Sequence, residues 1–165
     1  MRRSVSSLAL LLAALAAAQT ARAGVVEYGY VYAARCPGAG VAQRVDHWDM
    51  YMCNCTSYVA WALAANEQRT DWFIAGSMNA RNWSHVARLR GIPVGMRPRV
   101  GAVAVWQHGS KFGHVAYVTN VEPGGEFDVA EYNLPGVGPE SFEFDTRYDL
   151  SATGVTFIYV PRLPR

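Results

Sequence analysis

Cys53 and Cys55 stand two apart in the stretch "MYMCNCTSYVAW", Met50 to Trp61, and the third cysteine, Cys36, lies upstream. Two thiols so spaced can hardly bond to each other, because the ring would be too tight for ordinary disulfide geometry. In an oxidising compartment exposed thiols tend to pair. Cys36 then joins one of the two, and the odd thiol left over is a candidate for chemistry. Closing the loop from Cys36 stabilises the fold similarly whichever partner is used, so position has to decide. The segment "NCTSYVAWALAANEQR", Asn54 to Arg69, reads as a helix opening, with Asn54 a good N-cap type. Tyr58, Val59, Ala62 and Leu63 recur at helical spacing. Cys55 is then the first helical residue, where free N–H groups and the positive end of the helix dipole favour a thiolate. Cys53 precedes the helix, free to reach back to Cys36. The expectation is a Cys36–Cys53 disulfide and a nucleophilic Cys55. Two plainer readings compete: a small buried apolar residue at 55, or a zinc site from Cys36, His47, Cys53 and Cys55, whose C-x-C spacing is tighter than zinc sites use.

A cysteine nucleophile needs a base and the base an orienter. The histidines are His47, His85, His108 and His114, and a lone histidine is usually structural or on the surface. His114 opens "GHVAYVTNV", which alternates like a strand. The turn "EPGG" then leads into "EFDVAEYN", Glu126 to Asn133, and the two runs read as a hairpin. Glu131 and Asn133, two apart, project from one face of the second strand. Antiparallel pairing brings the end of that strand beside the start of the first, so both come next to His114.

These residues must be positioned by a protein that reaches an oxidising compartment. Residues 1–23, "MRRSVSSLALLLAALAAAQTARA", have a basic start, an apolar run from Leu8 to Ala18 and an A-x-A ending. This is the layout of a secretory signal peptide, and the run is too short for a comfortable membrane span. Export leaves residues 24–165, a length suited to one domain with a real core. Three of the 15 Lys/Arg lie in the leader, so what remains, with all 13 Asp/Glu, is near neutral. A near-neutral chain gives no reason to expect nucleic acid as partner. Arg81, Arg88, Arg90, Arg97 and Arg99 cluster in one stretch and Glu122 to Asp149 is mostly acidic; solvated faces explain both.

The motifs "CNCTSYVAW", "NARNW" (Asn79 to Trp83), "RVGAVAVW" (Arg99 to Trp106), "GHVAYVTNV" and "VAEYN" occur in the order seen in CHAP domains, the cysteine, histidine-dependent amidohydrolase/peptidases of bacterial cell-wall hydrolases. The chain resembles that family from about Cys36 onward. The resemblance implies a papain-like α+β fold, with N-terminal helices on an antiparallel sheet of about five or six strands. It also implies Cys55 as nucleophile, His114 as base and Glu131 and Asn133 as orienting residues. The substrate class implied is peptidoglycan, cut at a muramoyl–L-alanine amide or within the stem or cross-bridge peptide. Many members carry Gln just before the nucleophile; Asn54, shorter by one methylene, is the oxyanion candidate here. Some bind calcium through spaced Asp residues upstream. Asp46 has that look, but Trp48 and Met50 occupy the partner positions, so no metal and no cofactor is expected.

The map that follows is a leader over 1–23 and a single catalytic domain over 24–165. Helices are expected at Cys55–Arg69 and Asn79–Arg90. Strands are expected at Ala102–Gln107, His114–Val121, Phe127–Asn133, Ser141–Phe144 and Val155–Val160, with "GIPVGMRPRVG" a loop. Trp106 and Tyr132 are the groove candidates among the aromatics. The protein is expected to be a secreted or periplasmic bacterial monomer without membrane attachment once the leader is removed. The rival readings are a non-catalytic wall-binding protein of the same fold and an exported toxin or effector of the same chemistry.

Overall fold

The computed structural model describes residues 26–36, 44–74, 79–135 and 142–164. The leader lies outside the described residues. Two helices, α1 (Cys55–Ala65) and α2 (Trp83–Leu89), precede most of the sheet. Its strands are β1 (Val94–Gly95), β2 (Val103–Trp106), β3 (His114–Val121), β4 (Phe127–Tyr132), β5 (Phe144–Leu150) and β6 (Thr156–Ile158). All pair antiparallel, in the order β1-β6-β2-β3-β4-β5. The expected α+β, papain-like architecture is the one observed.

Helix α1 is buried from Thr56 to Leu63, more completely than an amphipathic stripe requires. Small residues at 56, 57, 60 and 62 let it lie between the sheet and an N-terminal aromatic segment, where Tyr30 meets Tyr58, Trp61 and Tyr132 ring to ring. It stops at Ala65, short of the expected Arg69. Asn66 Nδ2 takes the Ala62 carbonyl, and Glu67 turns left-handed at φ 58°. The Glu67 and Gln68 N–H groups then close on Ala64 and Leu63 as in a Schellman cap. The second helix is preceded by a 3-10 turn, Ala80–Asn82, whose Arg81 N–H, without a partner inside the first turn, donates to the Phe112 carbonyl at 2.9 Å.

The sheet has a core on each side. Val103, Val105, Val115, Tyr117, Ala130 and Ile158 pack with α1 and α2. Ala104, Ala116, Phe127, Val129 and Phe157 form a second cluster with no helix residue in it. Phe127 on β4 and Phe157 on β6 touch at 5.0 Å between ring centroids, although two strands separate them. In a flat sheet they would be about 14 Å apart, so the sheet curls over and covers this face with itself.

Strand β5 departs from the expectation, running from Phe144 to Leu150 rather than ending at Phe144. "DTRYDL" is mostly polar because β5 is an edge strand, half exposed throughout, so hydrophobic alternation did not mark it. Val94–Gly95, expected as loop, pairs with β6. The cysteine arrangement is the expected one: Cys36 and Cys53 are bonded, Cα to Cα 5.4 Å, and Cys55 is free.

Gly113, just before His114, has φ +72°, and a Cβ there would lie 2.5 Å from the Arg81 nitrogen. Gly113→Ala is therefore expected to destabilise the fold by about 2 kcal/mol or more, measured as a lowered urea midpoint. The Cys36–Cys53 link spans a sequence separation of 17. Its loss in Cys36→Ser should cost about 3 kcal/mol by loop entropy, read as a lowered melting temperature, and leave two reactive thiols on the unfolded chain.

Candidate active site

Cys55 is the first residue of α1, half-buried, behind an extended Asn54 (φ −102°, ψ 163°). The loop that delivers it is held by a chain of buried hydrogen bonds. The Cys53 N–H donates to the Tyr30 oxygen at 3.1 Å, Tyr30 O–H to Ser57 Oγ at 2.5 Å, and Ser57 O–H to Asp46 Oδ2 at 2.5 Å. Asp46 Oδ1 accepts from the Trp48 and Met50 amides at 2.8 and 3.0 Å. Burial pushes the Tyr30 phenol up to about 12, against the lowering effect of its hydrogen bonds, so it stays a donor. Both Asp46 oxygens, which could have suggested a calcium ligand, are thus used by the chain itself. Cys36 and Cys53 are engaged with each other and so are not zinc ligands. Among the described residues no group of three or more His, Cys, Asp or Glu gathers as a metal site would.

His114 opens β3 opposite Trp106 on β2, and is 4 % exposed. Its Nε2 lies 2.6 Å from Glu131 Oε2, which assigns the proton to Nε2 when the ring is neutral. Nδ1 is buried and closes no hydrogen bond of normal geometry. Cys55 is the neighbour acting on that ring. Burial alone would lower the imidazole pKa, but the charge and hydrogen-bonding reach of Cys55, then those of Glu131, raise it to about 9. The ring is thus set between Cys55 and the buried Glu131 carboxylate. The other histidines are elsewhere: His47 stacks on Trp48 at 3.6 Å, and His85 and His108 are exposed.

Glu131 is fully buried. Burial would push its carboxyl up, but hydrogen bonds and charge from His114 and Arg147 hold it below the ordinary carboxylate value. Arg147, on β5, was not legible in the sequence. Its Nε reaches Oε1 at 2.5 Å and its Nη2 reaches Oε2 at 2.9 Å. The guanidinium also covers the Trp106 ring at 4.7 Å. No motif marks it; only its place opposite Val129 in the β4–β5 register, two residues from Glu131 on the same face, would have pointed to it.

Two expectations are corrected. Asn133 does not orient His114: it sits at φ 52° past the end of β4, and its Nδ2 donates to Asn54 Oδ1 at 2.7 Å. The left-handed turn carries it off the strand's alternation, leaving Glu131 as the partner of Nε2 among the described residues. Asn54 consequently makes no side-chain N-cap; its Nδ2 retains only a 3.4 Å contact to the Met52 carbonyl. That donor stands beside the nucleophile. Tyr132 is not a groove wall, because it is 5 % exposed and packed among Tyr30, Tyr58 and Phe144. Trp106, half-buried, flanks His114 with ring centroids 5.8 Å apart.

Comparison with known proteins bears on the family and the fold. The chain is 37 % identical over 81 residues to the staphylococcal secretory antigen ssaA2 of Staphylococcus aureus, covering 49 % of this chain and 30 % of that protein. It is 36 % identical over 88 residues to the probable autolysin LDP of the same organism, covering 53 % and 30 %. The chain thus spans under a third of the length of these relatives. A crystal structure of an N-acetylmuramoyl-L-alanine amidase from Staphylococcus aureus superposes with a TM-score of 0.57 at 22 % identity, over 67 % of this chain and 31 % of that one. That likeness supports the fold. The CHAP domain model matches residues 45–133, which span α1, β3 and β4 and so Cys55, His114 and Glu131; the chain belongs to the CHAP domain family.

Proposed function

We propose that this chain is an exported peptidoglycan hydrolase that cuts an amide bond through a thioester on Cys55. The observation that carries the reading is the line Cys55–His114–Glu131, in which Nε2 is taken by a buried carboxylate and Nδ1 is left for the cysteine. The names of the relatives, an autolysin and an amidase, support the substrate class. The leader-like residues 1–23 support export, and among the described residues no helix is long and apolar enough to cross a membrane. The catalytic unit is residues 24–165, acting as a monomer.

In the reaction the Cys55 thiolate attacks the amide carbon and a C–S bond forms. The oxyanion is met by the Cys55 N–H and by Asn54 Nδ2, which Asn133 orients from the other end of the amide. His114 Nδ1–H protonates the leaving amine as the C–N bond breaks. Neutral His114 then takes a proton from water, the hydroxide attacks the thioester, and the C–S bond breaks to restore the thiolate. Glu131 holds the ring orientation and the Nε2–H tautomer throughout. The bond cut is the muramoyl–L-alanine amide or one within the stem or cross-bridge peptide.

Cys55→Ala is expected to keep the fold by circular dichroism and lose more than about 10³-fold of wall hydrolysis. Mass spectrometry of digested peptidoglycan reads activity and the bond together. Wild-type-like hydrolysis by the variant would remove the enzyme reading, and wall binding without cleavage by the wild type would assign the chain to a binding role.

The raised pKa of His114 sets a pH window. The ion pairing that raises it stabilises the fold fully below pH 6.5, the ordinary imidazole value, and is lost as pH rises through about 9. Because the imidazolium is the acid in acylation, kcat/KM should fall through that same alkaline range. Glu131→Gln removes an anion from Nε2, so its alkaline limb should lie at lower pH than the wild type's in the same buffers.

A further inference from the structure

We infer that Arg147 is a positioning residue of the active site, one that acts through Glu131 to keep the carboxylate paired, fixed in plane and aimed at His114. This deepens the hydrolase reading above and rests on it. Glu131 is fully buried, and an ionised carboxylate out of water needs a countercharge and a full set of donors. His114 supplies one hydrogen bond, to Oε2. Arg147 supplies two, one to each oxygen, in the side-on fork that only a guanidinium offers. Oε2 therefore sits between Nη2 and Nε2 and cannot rotate away from the ring.

The groups facing Glu131 make the charge logic explicit. His114 comes from β3, with Cys55 of α1 beyond it; Arg147 comes from β5, and the exposed Asp145 lies directly across the ladder. In the proposed reaction the Cys55 thiolate, His114 imidazolium, Glu131 carboxylate and Arg147 guanidinium alternate in charge. When Cys55 becomes a thioester and His114 has given its proton to the amine, the first two charges vanish together. Glu131 would then be a buried anion beside a neutral ring. Arg147 is the remaining countercharge, and through both chemical steps it keeps the carboxylate paired. The far side of the guanidinium rests on Trp106, which in turn flanks His114. The arginine is therefore braced on two sides, although it comes from an edge strand.

Removing a cation raises the pKa of every group beside it. Arg147→Met should move both limbs of the pH–rate profile upward, by about one pH unit or more. That is the opposite direction to Glu131→Gln. At neutral pH kcat should fall at least tenfold with KM little changed, since Arg147 is argued to touch no substrate. Arg147→Lys, which keeps charge but not the fork, should restore the limbs to their wild-type positions while kcat stays reduced. A second measurement needs neither substrate nor activity. The His114 ring is titrated by NMR in the folded wild type, Arg147→Lys, Arg147→Met and Glu131→Gln. The expected order of its pKa is Glu131→Gln below wild type, and Arg147→Met above.

A chain that proves inactive on peptidoglycan leaves this order measurable, so the failure of the hydrolase reading and of the Arg147 inference are separable. The inference is overturned if the His114 titration in folded Arg147→Met is unmoved. It is also overturned if Arg147→Met raises KM while the limbs stay in place, which would make Arg147 a substrate contact. If Arg147→Met does not fold, Arg147→Lys with wild-type limbs and wild-type kcat would overturn it equally.

Discussion

A carboxylate with no access to water, Glu131, is the constraint around which the site is arranged. It is tolerated because donors from two neighbouring strands converge on it, His114 from β3 and Arg147 from β5. That convergence requires the β3–β4–β5 order and its registers, and a slip of one residue would turn every one of these side chains to the other face. The sheet's curl closes an apolar cluster beneath the same face, which keeps the pair dry and its interactions strong.

Cys55, the proposed nucleophile, is positioned by a different device. Cys55 belongs to the helix layer, and its place is set by the hydrogen-bond chain from Cys53 through Tyr30 and Ser57 to Asp46, with the Cys36–Cys53 bond securing the loop before it. The two halves meet where α1 begins and β3 begins. The start of β3 is also held from α2, because the backbone of the 3-10 turn at Ala80–Asn82 packs on Gly113, the residue before His114. The neighbouring cysteines thus do different jobs: one fixes the approach of the chain, the other stands at the helix opening toward His114.

Asn54 and Asn133 show how a family pattern can be met in composition and changed in geometry. The chain carries an amide before the cysteine and an asparagine after the glutamate, yet the two bond to each other. Among the described residues Nε2 of the imidazole is held by Glu131, and the amide pair ties the loop before Cys55 to the end of β4. In the proposed reaction this places Asn133 on the oxyanion side.

Local features were legible without coordinates, because they follow from neighbours in the chain. Asn54 and the periodicity after it placed Cys55 at a helix start, which left Cys53 to pair with Cys36, and alternation placed His114 at the head of a strand. The hairpin turn brought Glu131 to His114, since antiparallel pairing is the cheapest way to join two adjacent strands. What the sequence could not show depends on groups distant along the chain. β5 is polar because it is an edge, so nothing periodic announced it, and with it went Arg147. Asn133 left the strand's alternation through a left-handed residue, which two-residue spacing cannot foresee. Tyr132 looked like a groove wall until packing with Tyr30 and Tyr58 made it core. The types and order of the chemical groups were therefore determined by the sequence itself. Which of them share a buried charge was decided by the fold, because burial and register are properties of the assembled sheet.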